Sequence, residues 1–169
     1  RYVMNLPNTY TDRNETGCCA IPNIAEWDER ELVFHDKRFV RMYTRSFLYM
    51  PLNMSKVMAA IQAQASEAKA TVPAQETMTL SRDLSPWKAE QLYAISKPVQ
   101  GADNVTLEGS FLTKVFEGPY QNVKNWYGDL QKLAASRQRT ITDTYFFYTT
   151  CPKCAKHYGK NYVIGLVKV

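Results

Sequence analysis

The feature that most constrains this chain is a strand, a sharp turn and an amphipathic helix that occur twice. The second copy is the plainer one. SFLTKVFE (110–117) is short, rich in β-branched and aromatic residues, and stops at Gly118-Pro119. Beyond it Val123, Trp126, Tyr127, Leu130, Leu133 and Ala134 recur at i, i+3, i+4, i+7, i+10 and i+11, the spacing of one helical face. TYFFYTT (144–150) and NYVIGLVKV (161–169) then read as two strands separated by CPKCAKHYGK. The first copy runs from a strand at 39–50 through Pro51 to a helix whose Met54, Val57, Met58, Ile61 and Ala65 match the later stripe at one constant offset. Strands follow at 77–82 and 89–97. The order β-α-β-β thus appears twice, which predicts an α+β fold of duplicated β-α-β-β units. The units are expected to be related by a pseudo-twofold, with an antiparallel sheet and helices packed on one side.

The expected organisation is an N-terminal extension over 1–36 that packs on a domain over 37–169, with repeat one at 37–98 and repeat two at 108–169. Residues 1–26 are rich in Asn, Thr and Pro without a period, but carry Cys18-Cys19 and lead to Trp27. ELVFH (31–35) predicts a short edge strand, with Asp36-Lys37 as the turn into the next one. Residues 97–101 (KPVQG) form the expected hinge, with Asp103-Asn104 as turn formers close behind. Gly128 falls inside the second helix at a cost of about 1 kcal/mol relative to alanine, which close approach of a neighbouring element would explain, although the sequence itself shows none.

At 169 residues a single domain can bury roughly 70% of its unfolded surface. No apolar run is long enough to span a bilayer, and residues 1–23 lack the apolar core of a signal peptide. Cytoplasmic placement with reduced thiols, and no membrane partner, is the expectation. The net charge of +5 is scattered apart from Lys37-Arg38-Arg41-Arg45 and Lys153, Lys156 and Lys160. Aromatics do not interleave with a basic stripe, so no nucleic-acid partner is expected. The sequence does not define the oligomeric state.

Glu117 is the leading acidic candidate, both as a ligand contact and as a catalytic acid/base. It ends a strand beside a helix start, and Tyr49 occupies the matching place in the first repeat. A carboxylate there attracts a cation or, when desolvated, acts as a general acid or base. Tyr49, Trp87, Tyr93, Tyr145 and Tyr148 complete the expected ligand-binding set, through ring stacking or cation–π attraction. Strand alternation puts Tyr145 and Tyr148 on opposite sheet faces, so one of the two at most lines a shared surface. Trp126 and Tyr127 belong to the buried stripe.

The four cysteines fall in two pairs, Cys18-Cys19 and Cys151/Cys154. All four would suit a structural zinc if the extension folds back. Thiolates beside lysines equally suit redox chemistry, although a redox CxxC is expected to open a helix and this one is read as a hairpin tip. Inert structural thiols remain the third reading. No P-loop, GxSxG, HExxH or dinucleotide fingerprint occurs, and two histidines make a histidine triad a poor fit.

With these residues in view, the chain resembles the gyrase-inhibitor-like superfamily, which includes the effector-binding domains of AraC-type and multidrug-responsive regulators. The likeness covers about 39–169. TGCC (16–19), KVFEGPY (114–120) and YTTCPKCAKHYGKNYV (148–163) are similar to a stand-alone bacterial subfamily often loosely labelled hydrolases. The resemblance implies a pseudo-twofold domain with a central cleft that binds flat, apolar, often cationic molecules. Some stand-alone members are similar to cyclopropane-opening hydrolases, and the general fold also carries haem proteins. No helix-turn-helix module is attached, and CPKC with its lysines stands where many regulators place an acidic residue. The expected function is binding of an apolar, aromatic or cationic small molecule, with hydrolysis of strained or electrophilic substrates as its enzymatic form. The alternative is a zinc-stapled or thiol-redox protein working through CPKC; structural zinc is the one cofactor considered.

Overall fold

The computed structural model describes residues 6–17, 19–119, 122–149 and 152–169, without the side chains of Pro152 and Lys153. The fold is α+β with antiparallel strand pairing, and the chain divides into two compact units: Asp36–Glu108, and Arg1–His35 joined with Gly109–Val169. The unit boundaries fall inside two long strands, β1 (Arg30–Phe47) and β5 (Asp103–Glu117).

In the Asp36–Glu108 unit, β1 leads through the short β2 (Met50–Pro51) into α2 (Met54–Glu67). A 3-10 turn at Ala74–Glu76 precedes β3 (Thr79–Ser85) and β4 (Lys88–Ala94). The strands lie in the order β2-β1-β4-β3. The register Phe39↔Ala94 through Arg45↔Lys88 fixes the long pair. Ile61 and Ala65 from α2 are buried against Val40, Tyr93, Ile95 and Val99, with Val57 and Met58 packed beside them. The helical stripe read from the sequence is the face that packs.

The other unit repeats that plan. β5 is followed by α3 (Val123–Ser136), β6 (Asp143–Tyr148), α4 (Pro152–Tyr158) and β7 (Tyr162–Lys168), with strand order β6-β7-β5. In both units the first strand pairs with the last, and the last with the middle one. Trp126, Leu130, Leu133 and Ala134 of α3 are buried on Leu112, Phe116, Phe146 and Val163. Tyr127, read as part of the same buried stripe, is instead exposed at its margin, its ring 5.2 Å from Phe146. Each large side chain buried this way contributes about 1.5–3 kcal/mol. Gly165 on β7 permits the contact, because a Cβ there would lie 2.9 Å from Leu130 Cδ1 and 3.1 Å from Phe116 Cε2.

The N-terminal segment is tied to this second unit. Thr11 N donates to the Ile21 carbonyl at 2.8 Å and Ile21 N to the Arg13 carbonyl at 2.9 Å, and α1 (Ile24–Trp27) buries Trp27 completely. Thr113 Oγ1 donates to the Trp27 carbonyl at 2.5 Å, and Val115 N donates to Asp28 Oδ1 at 3.0 Å.

Three local expectations need correction. Asp36-Lys37 is not a turn between strands, because β1 runs through it. Asp36 takes φ +50°, a conformation aspartate tolerates, and its N–H donates to Glu108 Oε1 at 2.6 Å. Asp103-Asn104 open β5, while the turn lies just before them. Gly101 takes φ +81° there, and the Asn104 side chain bonds Val99 N and O at 2.8 Å each. CPKC does not cap a hairpin, because Pro152 opens α4 and Gly159 (φ +74°) follows its end. Proline in the first turn forfeits no helical bond, and glycine accepts the left-handed stop. No close neighbour explains Gly128, whose added Cβ would meet nothing within 4 Å.

Candidate functional site

Two junctions of the second unit meet to form an open groove of about 620 Å³. One is the end of β5, Glu117-Gly118-Pro119; the other is the α4–β7 connection, with Ala155, Lys156, Gly159, Lys160 and Asn161. The register Glu117↔Tyr162 brings them side by side. Gly118 N donates to the Asn161 carbonyl at 3.1 Å, and Asn161 Nδ2 donates to the Gly118 carbonyl at 2.8 Å. Gly118 sits at φ +118°, which a side chain rarely adopts, so this exchange demands glycine.

Among the described residues the charged groups of the groove are Glu117, Lys156 and Lys160. Lys160 Nζ lies 3.3 Å from Glu117 Oε1, and both side chains are more than half exposed. The hydrogen bond to Glu117, then the carboxylate's charge, raises the Lys160 pKa. The pair presents a water-accessible acceptor beside a cation, a combination that can take a proton from water and stabilise nearby negative charge.

The other predicted site residues divide by unit and by burial. Tyr145 is buried, its ring 6.4 Å from Phe111. Tyr148 is partly exposed, 6.4 Å from Phe146 on the face covered by α3. Phe116, Val163 and Tyr148 share a row across the strands, so alternation directs Glu117 and Tyr148 to opposite faces. In the Asp36–Glu108 unit, Tyr93 is buried in the core, whereas Tyr49 and Trp87 stand exposed on neighbouring turns. Burial raises the Tyr93 pKa.

Of the predicted metal ligands, Cys18 and Cys151 lie outside the described residues. Thr16 Oγ1 is 3.2 Å from the buried Cys154 Sγ and accepts from Cys19 N at 3.2 Å. The Cys19 carbonyl in turn accepts from Tyr158 OH at 2.8 Å. The TGCC and CPKC motifs are therefore neighbours. Among the described residues no group of three or more His, Cys, Asp or Glu side chains is arranged to hold a metal ion.

Three features were not read from the sequence as site residues. Lys160 and Asn161 belong to the quoted YGKNY run, but only the fold shows that it lies against Glu117. Glu15 accepts from Arg13 Nε at 2.6 Å and contacts His157 Nε2 at 3.3 Å; these two hydrogen bonds, Arg13 first, lower its pKa. In the Asp36–Glu108 unit Glu90 is buried between Arg82 at 3.0 Å and Arg41 at 3.4 Å. An alternating strand pattern does not distinguish such a carboxylate from an exposed one.

A family model described as Bacterial hydrolase matches residues 9–169. Among solved structures, an uncharacterized conserved protein from Listeria innocua is similar in fold, with a TM-score of 0.57 and 10% identity. The alignment covers 83% of this chain and 91% of that one. At that identity the likeness speaks for the fold alone. No curated protein matches the chain.

Proposed function

We propose that this chain, which belongs to the bacterial hydrolase family, hydrolyses a small apolar or aromatic electrophile at the Glu117–Lys160 groove. The observation that carries this reading is the carboxylate–ammonium pair at 3.3 Å in an open groove between two strand–helix junctions. In the proposed step, Glu117 takes a proton from water as the water oxygen bonds to the electrophilic carbon. The bond to the leaving atom breaks with its electrons. Lys160 stabilises the negative charge that develops and hands over a proton, which Glu117 then restores through solvent. A positioned general base of this kind contributes about 10²–10⁴-fold.

The resemblance to gyrase-inhibitor-like domains supports the substrate class, flat and apolar with a strained or activated bond. A cationic ligand suits this groove less well, since Lys156 and Lys160 outnumber Glu117.

The test is turnover of strained-ring and activated-ester probes by wild type and Glu117→Gln. Loss of about 10²-fold or more in kcat with ligand affinity kept supports the reading. Binding that weakens with no turnover in either protein would make the groove a binding site only. Equal turnover in both proteins would remove Glu117 from the chemistry.

One observation favours a second reading. Pro152 and Cys154 of CPKC lie in the first turn of α4, and a helix start is the setting expected of a redox CxxC. Thiol titration under oxidising and reducing buffers, with Cys154→Ser as control, separates this thiol-redox reading from hydrolysis.

A further inference from the structure

We infer that the Asp36–Glu108 unit carries a docking surface for a bilayer with anionic headgroups, formed by two neighbouring turns. This inference is independent of the hydrolase reading. The first turn joins β1 to β2, and Phe47, Leu48, Tyr49, Met50 and Leu52 around it are each more than half exposed. The second joins β3 to β4 and carries Trp87, 55% exposed. The turns are locked together: Ser46 N donates to the Trp87 carbonyl at 2.8 Å, and Tyr49 N to the Pro86 carbonyl at 2.9 Å. The Phe47 and Trp87 rings stand 5.7 Å apart.

The choice of residues at the tip is unusual. Leu48 and Tyr49 take φ +48° and +70°, the two left-handed positions of a tight hairpin where Asn-Gly is the ordinary solution. A sequence that needed only the turn would avoid two large apolar side chains in a conformation that penalises them. Their placement holds apolar groups in water on a rigid frame. Phe, Leu, Met, Tyr and Trp together suit an acyl–headgroup boundary, where amphipathic rings settle.

Charge decides which occupant fits. Over 43–56 and 83–88 the basic side chains are Arg45, Lys56 and Lys88, against Asp83 alone as an acid. Lys88 Nζ lies 4.2 Å from the Tyr43 ring centre, which holds that cation beside the apolar tip. An apolar tip with a basic margin complements anionic lipid. A second copy presenting the same margin would meet like charge. A small ligand laid on two projecting turns would gain contact on one side only. No described helix is long and apolar enough to cross a membrane, so the contact is interfacial.

The experiment uses the whole chain with phosphatidylcholine vesicles, with and without phosphatidylglycerol, read by co-sedimentation and tryptophan emission. Trp27 and Trp126 are buried and Trp87 is exposed, so a blue shift on vesicle addition reports the tip. Binding to phosphatidylglycerol vesicles with a blue shift is expected, weakening as salt rises. Phe47→Ser and, at a side chain clear of the core, Leu48→Ser should each weaken partitioning on the order of tenfold. Lys88→Glu should weaken it about fivefold or more. No binding by folded wild type to either vesicle overturns the inference, as does binding that both serine variants leave unchanged. A concentration-dependent dimer abolished by Leu48→Ser would assign the surface to a second copy. A Trp87 response to planar dyes but not to vesicles would assign it to a small ligand.

Discussion

Thr16 Oγ1 lies 3.2 Å from Cys154 Sγ, which joins two cysteine-bearing motifs 138 residues apart in the chain. The same hydroxyl accepts from Cys19 N and contacts the Cys19 carbonyl at 3.4 Å. It therefore organises the loop and docks it on α4 at once. Thr16→Val keeps the shape and removes the hydroxyl. A loss of about 1 kcal/mol is expected, and it should fall on the extension, not on the whole fold. Limited trypsin digestion checks this, because Arg13 sits in the exposed part of that loop. Faster cleavage at Arg13 with an unchanged urea midpoint is the expected pattern; an unchanged cleavage rate would deny the hydroxyl its docking role.

Gly128→Ala should stabilise the protein. An added methyl would meet nothing within 4 Å, and α3 continues on both sides of the position. Alanine gains about 0.8–1 kcal/mol over glycine in a helix interior, which raises Tm by roughly 2–4 °C at this size. Gly165→Ala is the matched opposite. Its methyl would press on Leu130 and Phe116, both buried, and overpacking of this kind costs about 1–3 kcal/mol. Differential scanning calorimetry on the two variants should move Tm in opposite directions. Movement in the same direction would mean that α3 does not pack on β7 as described.

What was legible in the sequence follows from the range of the signals. Helical spacing at Met54–Ala65 and Val123–Ala134 is a local pattern, and it predicted the buried faces of α2 and α3 because burial is what maintains it. The repeated element order β-α-β-β is legible as well, whereas the strand orders β1-β4-β3 and β5-β7-β6 are set by pairing between distant segments and are not. The errors arose where one residue decided the backbone. Asp36 looked like a turn former, yet it takes φ +50° inside β1 without ending the strand. Pro152 looked like a turn residue, yet it starts a seven-residue helix. The groove was half legible. Glu117 stood out as a strand-end carboxylate, but its pairing with Lys160 depends on a register between distant segments that no local pattern encodes.

Glu90 supplies a stability prediction in the other unit. Its carboxylate is almost fully buried, while Arg41 and Arg82 are each about a third exposed. Removing one member of a buried pair typically costs about 3–5 kcal/mol, because the partner is left charged and dry. Here the arginines reach water, and Arg41 keeps Asp103 at 2.9 Å. Glu90→Gln is therefore expected to cost less, about 1–3 kcal/mol. Urea denaturation measures it, and a variant as stable as wild type would show the carboxylate to be dispensable.

The last prediction concerns pH, and Asp83 and Lys37 give it opposite signs. Burial raises the Asp83 pKa above 3.8, so between 3.8 and its folded value the folded protein holds the proton more often than the unfolded chain. Stability from this group is therefore lost as pH rises through that window and stays lost above it. Burial lowers the Lys37 pKa below 10.5, partly offset by Glu76, so the unfolded chain holds that proton more tightly. Stability rises with pH between the folded Lys37 value and 10.5. Asp83→Asn removes the acidic term. Since the carboxylate stays partly wet, the gain at neutral pH should be no more than about 0.5 kcal/mol, and it should shrink as pH falls through the window and vanish only well below pH 3.8. Denaturation midpoints across acid and neutral pH for wild type and Asp83→Asn decide the matter. Curves that run parallel throughout would mean that the hairpin leaves the Asp83 carboxylate fully hydrated.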